Sequence, residues 1–312
     1  MSEISNIAWT RSTFNPWIGC TKIGPGCDGC YAEALDHRMK FGGATHWGAG
    51  VQRYRTSESN WKKPLEWNKK AASDGPWRVF CASLADVFDN EVPQQWRSEL
   101  FSLILSTPYL SWLLVTKRIG NAPSMAPFWS EYGFPANVRL LITVVNQEEA
   151  DRDIPKLLAL PCSNGLSMEP LLGPVDLSPW LCDGIPSKEQ IDGERGAHYL
   201  RHGAPRLDWM IVGGESAQAG HPARPFNLGW ARSTVEQCKV AGAPVFIKQL
   251  GRYPMPESDD LCGLRSKGHS FYRGWTLRYC DEDERISVDL KDRAGADPSE
   301  WPEDLRVREY PV

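Results

Sequence analysis

Three cysteines near the N-terminus are the residues of this chain with the clearest capacity for chemistry. Cys20, Cys27 and Cys30 follow the spacing C-x6-C-x2-C. Structural zinc normally takes four protein ligands, and no second C-x-x-C occurs in the chain to complete such a set. A four-iron four-sulfur (4Fe-4S) cluster held by three thiolates instead leaves one iron with an open coordination position, where a small molecule can bind. The spacing therefore favours a catalytic iron–sulfur cluster.

The residues around these cysteines favour a loop that approaches a metal group closely. Glycine occupies four positions between residues 19 and 29 and lets the backbone take conformations that other residues avoid. Directly after Cys30, the sequence Y-A-E-A-L-D-H-R-M predicts a helix over Tyr31–Met39. Cys30 then lies at a helix N-terminus, where the helix dipole favours the negative charge of a thiolate.

Two other interpretations of the three cysteines remain open at this stage. The first is a zinc ion held by the three thiolates and a histidine such as His46, in a non-catalytic protein that binds nucleic acid or acts as an accessory protein. The second is that the cysteines are reduced and packed as small apolar side chains. The glycine-rich, polar composition of the loop is unlike a hydrophobic core and disfavours the second interpretation.

The cysteine loop resembles that of radical S-adenosylmethionine (radical SAM) proteins, in particular the spore photoproduct lyase branch. Loops of that branch read N-P-Y-x-G-C and then C-x-x-C-Y, and this chain has N-P-W-I-G-C and C-D-G-C-Y. The usual radical SAM spacing, C-x3-C-x2-C, is three residues shorter. Nearly the whole chain also resembles a phage-associated three-Cys-motif family of largely unknown function. The shared motifs are W-T-x-x-T-x-N-P-W-x-G-C, S-x-x-D-x-F, L-L-V-T-K-R, S-M-E-P-L-L-G-P, I-V-G-G-E-S, F-I-K-Q-L-G and W-P-E-D-L-R-V-R-E.

This resemblance implies an enzyme with two cofactors, the 4Fe-4S cluster and S-adenosylmethionine. S-adenosylmethionine would bind the open iron, and an electron from the reduced cluster would split it to start radical chemistry. An electron donor is therefore an expected partner. The similarity to photoproduct lyase and the phage association imply a nucleic-acid base or nucleotide as the substrate, in a modification or repair reaction.

Composition and charge narrow the expected setting of the protein. The chain has 312 residues and a formal net charge of −4, so strong nonspecific attraction to nucleic acid is not expected. Nine cysteines leave one unpaired, and the N-terminus lacks the basic and apolar regions of a signal peptide. No apolar run approaches the ~20 residues of a membrane span. We expect a cytoplasmic protein with reduced thiols and no membrane partner.

Apolar and β-branched runs recur along the chain at the distances expected of alternating strands and helices. Near-continuous apolar runs suit strands buried on both faces of a parallel sheet. Between them, Pro93–Ser106 and Asn227–Ala241 place apolar residues on one helical stripe. The pattern predicts an α/β fold, a parallel (β/α) full or partial barrel of the radical SAM or TIM-like type. The predicted strands are a short one at Ile7–Arg11 and six more at Arg78–Ala82, Trp112–Thr116, Leu140–Val145, Gly165–Met168, Trp209–Val212 and Pro244–Ile247.

Polar residues follow most of these strands, and in a barrel the strand ends face one mouth. We therefore expect a shared site there, although each residue has the alternative role of a loop cap or ion-pair partner. On the resemblance, Gly213 and Gly214 let the backbone approach the cofactor while Glu215 pairs with its ammonium group. Other predicted cofactor-binding residues are Tyr31, Ser83, Asp86, Asn146 and Glu169, and the predicted catalytic or substrate-binding residues are Lys117, Arg118, Gln147, Lys248 and Gln249.

An aromatic and basic segment, residues 41–70, has two interpretations. Cations mixed with stacking surfaces are typical of single-stranded nucleic-acid sites, but the same pattern suits an amphipathic helix whose tryptophans face inward. We favour the helix.

The predicted domain organisation is a barrel domain over residues 1–251 and an extension over 252–312 packed on it. A polar insertion at 181–206 interrupts the barrel and is expected to form a lid. His198 and His202 within it are four residues apart, a spacing that suits two metal ligands on one helical face as well as two solvent-exposed side chains.

Overall fold

A computed structural model describes residues 3–181, 207–218, 220–257, 276–280 and 285–311. The chain divides into two compact units, residues 1–143 with 155–165 and residues 144–154 with 166–312. The predicted insertion lies outside the described residues from position 182 to 206, together with His198 and His202.

Strands supply the framework of both units. They are buried almost continuously, as in β4 and β8, because their apolar runs face other elements on both sides of the sheet. The strands are β1 (Ser12–Thr13), β2 (Trp17–Ile18), β3 (Tyr54–Arg55), β4 (Trp77–Cys81), β5 (Leu110–Thr116), β6 (Val138–Thr143), β7 (Ser163–Met168), β8 (Met210–Gly213), β9 (Phe226–Asn227), β10 (Val245–Gln249), β11 (Pro254–Met255), β12 (Thr276–Cys280) and β13 (Arg285–Asp289).

Helices connect most of the strands, and several of them begin and end at residues suited to that position. Ser57 and Asn227 each accept a hydrogen bond from a backbone N–H of the helix that follows, and Gly242 ends a helix with φ 67°. The helices are α1 (Tyr31–Met39), α2 (Glu58–Asp74), α3 (Gln94–Leu105), α4 (Ala122–Met125), α5 (Pro127–Tyr132), α6 (Gln147–Leu158), α7 (Ser178–Leu181) and α8 (Leu228–Ala241).

Seven strands form one sheet in the order β1-β4-β5-β6-β7-β8-β10. In the first unit β1 pairs in parallel with β4, β4 with β5 and β5 with β6. In the second unit β7 pairs in parallel with β8, and β8 with β10. Parallel strands joined through helices confirm the predicted class, an α/β fold with the sheet of a partial barrel.

The sequence predicted the longer strands and helices well and the two-residue strands poorly. All six longer predicted strands are observed as β4, β5, β6, β7, β8 and β10, and the three predicted helices are observed as α1, α3 and α8. The predicted strand at Ile7–Arg11 was wrong, because the first strand is Ser12–Thr13. The Thr10 N–H donates to the Ile7 carbonyl, and the Thr10 hydroxyl lies within bonding distance of the carbonyl oxygens of Ser12 and Arg78, so this segment forms a turn that leads into the first strand.

The C-terminal residues contact β10 within the second unit. The Ile247 N–H donates to the Val307 carbonyl, and the Glu309 N–H donates to the Val245 carbonyl. The Arg308 guanidinium stacks on Phe246 and Trp301. Among the helices in the described ranges, none combines the length and apolar composition that crossing a bilayer requires.

Candidate functional site

The cysteine loop begins at β2 and is fixed to the end of β4. The Gly19 N–H donates to the Leu84 carbonyl at 3.0 Å, and Gly19 has φ 114°. A Cβ atom at Gly19 would come within 2.3 Å of the His46 carbonyl oxygen, so only glycine fits between these segments. Cys27 ends a short helical turn that starts at Pro25, and Cys30 is the N-cap of α1. The predicted position of Cys30 at a helix N-terminus is confirmed.

The three thiols are free, and their chemistry fits a group that binds thiolates. Cys27 is buried, and Cys20 and Cys30 are partly buried. Within the described residues, no three His, Cys, Asp or Glu side chains stand together as a group able to hold a metal ion. The donor set is therefore suitable for a metal or cluster, but the three side chains do not form a preassembled site.

A guanidinium group contacts the first of these thiols. Arg118 Nη1 donates to Cys20 Sγ at 3.3 Å, and Arg118 Nη2 donates to the Thr21 carbonyl at 2.6 Å. Burial raises the pKa of the Cys20 thiol to about 12, the nearby Asp86 adds to the rise, and the positive charge of Arg118 opposes it. Burial likewise raises the pKa of Cys30, opposed by bonds from the start of α1 and the charge of Lys117. Both thiols must therefore lose a proton when they bind a metal.

Asp86 holds the ends of two strands together. Its Oδ1 accepts bonds from the Thr116 hydroxyl at 2.7 Å and the Phe88 N–H at 2.9 Å. Its Oδ2 accepts the Lys117 N–H at 2.9 Å and faces Arg118 Nη1 at 3.3 Å. Both carboxylate oxygens are therefore engaged with the protein, and Asp86 fixes Arg118 in front of the loop.

Tyr31 and Ser83 also meet beside the cysteine loop. The Tyr31 hydroxyl donates to the Ser83 carbonyl at 2.6 Å, which joins the first residue of α1 to the segment after β4. Asn15 Nδ2 donates to the Ser83 hydroxyl at 2.9 Å, and Asn15 Oδ1 accepts the Leu84 N–H. The first unit thus brings Tyr31, Ser83, Asp86 and Arg118 together around the loop. For Ser83, Asp86 and Arg118, their positions after strands predicted this.

Sequence reasoning missed Arg53, which lies on the other side of Thr21. Its Nε donates to Asp89 Oδ2 at 2.7 Å, and its Nη2 donates to the Thr21 hydroxyl at 2.7 Å. Its Nη1 donates to the carbonyls of His46, Gly48 and Val51. Its two side-chain partners, Thr21 and Asp89, lie 32 and 36 residues away in the sequence, so no local pattern could have identified this residue.

His46 is buried with both ring nitrogens beside backbone carbonyl oxygens. Its Nδ1 lies 2.9 Å from the Gln52 oxygen, and its Nε2 lies 2.7 Å from the Phe41 oxygen. A metal ligand needs a ring nitrogen with a free lone pair directed at the metal. The contacts of His46 therefore do not support the zinc site considered from the sequence.

In the second unit, Glu169 and Lys248 form an ion pair at the ends of β7 and β10. Lys248 Nζ lies 2.9 Å from Glu169 Oε2, whereas the buried Glu169 Oε1 accepts no hydrogen bond from any residue that the structure describes. A Cβ atom at Gly213 would lie 3.0 Å from that Oε1, so the glycine makes room for the carboxylate. Gln249 Nε2 donates to the Gly214 carbonyl at 2.7 Å and to the Ser216 hydroxyl at 2.9 Å. Residues after three strands of this unit thus converge.

Glu215 is engaged by Arg224 on both carboxylate oxygens. Arg224 Nη2 lies 2.7 Å from Oε1, and Arg224 Nε and the Arg224 N–H each lie 2.9 Å from Oε2. Burial alone would raise the pKa of Glu215, but the bonds and charge of Arg224 together lower it. Of the two glutamates predicted from the sequence, Glu169 is the one with an oxygen that lacks a partner in the described part of the chain.

Asn146 and Gln147 stabilise the start of α6. Asn146 Oδ1 accepts the Glu149 N–H at 2.9 Å, in the manner of a helix cap. Gln147 Nε2 donates to Asp151, and Gln147 Oε1 accepts the Asp176 N–H at 2.7 Å. These bonds match the loop-cap alternative for both residues.

The aromatic and basic segment contains an amphipathic helix, as favoured from the sequence. In α2 the buried residues are Asn60, Pro64, Trp67 and Ala71, which recur at helical spacing. Lys70 on the exposed side pairs with Glu3 at 2.7 Å. Trp61 stacks under the Arg55 guanidinium at 4.1 Å. These contacts occupy the stacking surface of Trp61 with a side chain of the protein itself.

Three comparisons relate the chain to known proteins. A family model described as "Protein of unknown function (DUF5131)" matches residues 4–292. No curated protein matches the chain. Among solved structures, the chain is similar to a mutant of spore photoproduct lyase with bound AdoMet and dinucleoside spore photoproduct. The identity is 11%, the match covers 89% of this chain and 68% of that chain, and the TM-score is 0.36.

Proposed function

We propose that this chain, which belongs to the DUF5131 family of unknown function, is a radical SAM-type enzyme. In this proposal Cys20, Cys27 and Cys30 hold a 4Fe-4S cluster, and S-adenosylmethionine is the second cofactor. The substrate is a nucleic-acid base or nucleotide. When bound, the cluster supplies the electron that starts radical chemistry on S-adenosylmethionine.

The observation that carries this proposal is the set of three free thiols in one loop. Thiolates are the usual protein ligands of iron–sulfur clusters, and a set of three leaves one iron available to a small molecule. Reduced, unpaired cysteines also match a compartment where disulfides are rare. His46 directs both ring nitrogens at carbonyl oxygens, so this residue does not support the zinc alternative as its fourth ligand.

The polar residues of each unit have separate roles in this proposal. In the first unit, Arg118 donates to Cys20 Sγ, and Tyr31 joins the loop's helix to Ser83. In the second unit, Glu169 and Lys248 offer an acceptor and a donor to a ligand that carries an ammonium or a carboxylate group. Gln249 keeps the backbone at Gly214 and Ser216 in place.

Anaerobic reconstitution tests the proposal directly. Protein supplied with iron and sulfide should become brown and contain both elements, and after reduction it should release 5′-deoxyadenosine from S-adenosylmethionine. Cys27→Ala should lose iron and abolish this release. Cys162→Ala is the matched control, because Cys162 is also a cysteine of the first unit but lies outside the loop. A colourless protein with stoichiometric zinc would refute the enzyme proposal.

The substrate class needs a separate experiment. Reduced, reconstituted protein is incubated with S-adenosylmethionine and with DNA or RNA, which is then digested to nucleosides and examined by mass spectrometry. A nucleoside of altered mass that is absent with Cys27→Ala supports a nucleic-acid substrate. Unaltered nucleosides, together with active release of 5′-deoxyadenosine, would contradict the substrate class while leaving the radical SAM assignment intact.

A further inference from the structure

We infer that Arg118 is a positioning residue that holds Cys20 ready to bind a metal or cluster, and this inference rests on the proposed function of the cysteine loop. Arg118 makes two contacts with the loop at once. Its Nη1 donates to Cys20 Sγ at 3.3 Å, and its Nη2 donates to the Thr21 carbonyl at 2.6 Å. The guanidinium therefore fixes both the sulfur and the backbone immediately after it.

Arg118 is itself fixed to the sheet. Its Nη1 lies 3.3 Å from Asp86 Oδ2, and the side chains of both residues are only 7% exposed. The Arg118 N–H donates to the Thr116 hydroxyl at 2.9 Å, and that hydroxyl in turn donates to Asp86 Oδ1. A continuous set of hydrogen bonds thus runs from the end of β5 to Cys20 Sγ.

This arrangement differs from the substrate-binding role expected of Arg118 from the sequence. The guanidinium is buried, and it bonds to a thiol, a carbonyl and a carboxylate of the protein itself, which favours a positioning role. The planar guanidinium can donate to two acceptors at fixed positions, and the ammonium group of a lysine cannot reproduce this geometry. Groups that bond to the ligands of a metal orient them, and their loss typically weakens metal binding by about 10–100-fold.

Cobalt(II) titration of the reduced, metal-free protein tests the inference without relying on enzyme activity. Thiolate ligation gives a charge-transfer absorption that reports occupancy of the loop. Arg118→Gln should weaken Co²⁺ binding by about 10–100-fold, and Arg118→Lys should restore only part of the loss. In a Cys20→Ala background, Arg118→Gln should cause no further weakening, since the two changes remove the same interaction.

Arg97→Gln is the matched control for folding. Arg97 is also a buried arginine of the first unit and donates to the carbonyls of Val87 and Asp89, but none of its bonds reaches a cysteine. It should lower the thermal midpoint and leave Co²⁺ affinity of the folded protein unchanged.

Several results would overturn the inference. Three of them concern Co²⁺ affinity: the wild-type value in Arg118→Gln, the full wild-type value in Arg118→Lys, or a loss in Arg97→Gln as large as that in Arg118→Gln. The fourth is a wild-type protein that shows no thiolate–cobalt absorption. Failure of the proposed function gives a different pattern. A wild-type protein that binds Co²⁺ through Cys20 but assembles no iron–sulfur cluster refutes the radical SAM assignment, while weaker Co²⁺ binding in Arg118→Gln still supports the role of Arg118.

Discussion

Replacing Arg53 by methionine removes a buried charge that ties together three segments around the cysteine loop. The side chain of Arg53 is 0% exposed, and that of its partner Asp89 is 2% exposed. Arg53 also donates to the Thr21 hydroxyl and to three backbone carbonyls between residues 46 and 51. Methionine fills much of the same space but donates no hydrogen bond, so the change isolates the loss of the guanidinium.

The expected cost follows from the burial of the pair. Removing one partner of a buried ion pair leaves an uncompensated charge and typically destabilises a protein by about 3–5 kcal/mol. An exposed pair such as Lys70 with Glu3, at 51% and 45% exposed, contributes only about 0–1 kcal/mol. Arg53→Met should therefore lower the free energy of unfolding by about 3–5 kcal/mol, whereas Lys70→Met should change it by less than about 1 kcal/mol.

Urea denaturation followed by tryptophan fluorescence measures both variants against wild type. Asp89→Asn added to Arg53→Met removes the uncompensated charge, so the double variant should be less destabilised than the sum of the single variants. Two results would refute the conclusion that the buried Arg53–Asp89 pair matters for stability. One is a loss of free energy of unfolding below about 1 kcal/mol in Arg53→Met, and the other is strict additivity in the double variant.

Two further predictions concern the second unit. Because the folded-state pKa of Glu215 is lowered, its ionised form stabilises the protein above the ordinary pKa of 4.5, and this contribution disappears as the pH falls through the lowered value. In Glu215→Gln, the thermal midpoint should therefore depend less on pH in that acidic range. An unchanged dependence of the thermal midpoint on pH would contradict the lowered pKa of Glu215. Gly214→Ala would place a Cβ atom 2.6 Å from the Leu250 carbonyl oxygen and should cost about 1–3 kcal/mol. Gly120→Ala, whose added Cβ would have no atom of the described residues within 4 Å, should be neutral or slightly stabilising by urea denaturation. Equal behaviour of the two variants would refute the close approach at Gly214.

The sheet could be predicted from the sequence because its strands are apolar almost throughout. Runs such as W-L-L-V-T in β5 and M-I-V in β8 are buried on both faces, and this requirement limits their composition strongly. The strand at Ser12–Thr13 has only two residues and a polar composition. Its position depends on pairing with β4, which no local pattern encodes. Short strands are therefore where sequence reasoning fails in this fold.

The candidate sites could be predicted in part for a related reason. Residues after strands are brought together by the parallel sheet itself, so Asp86 and Arg118 in one unit and Glu169 and Lys248 in the other were accessible to sequence reasoning. The ion-pair partner of each charged residue could not be predicted from the sequence. The motif G-G-E drew attention to Glu215, and only the fold reveals that Arg224 occupies it.

The two buried arginines beside the cysteine loop, Arg53 and Arg118, both bond to Thr21. Arg118 binds the Thr21 carbonyl and Arg53 binds its hydroxyl, and each arginine is paired with an aspartate of the segment after β4. Buried ion pairs seldom stabilise a fold better than apolar side chains of similar size, so stability alone is a weak reason for two of them at one residue. Their directed hydrogen bonds instead specify one position for the backbone next to Cys20. Gly19, the residue directly before Cys20, has no side chain that could pack and fix the first thiol. These two arginines supply a constraint on the other side of Cys20, from the sheet and from the segment before β3.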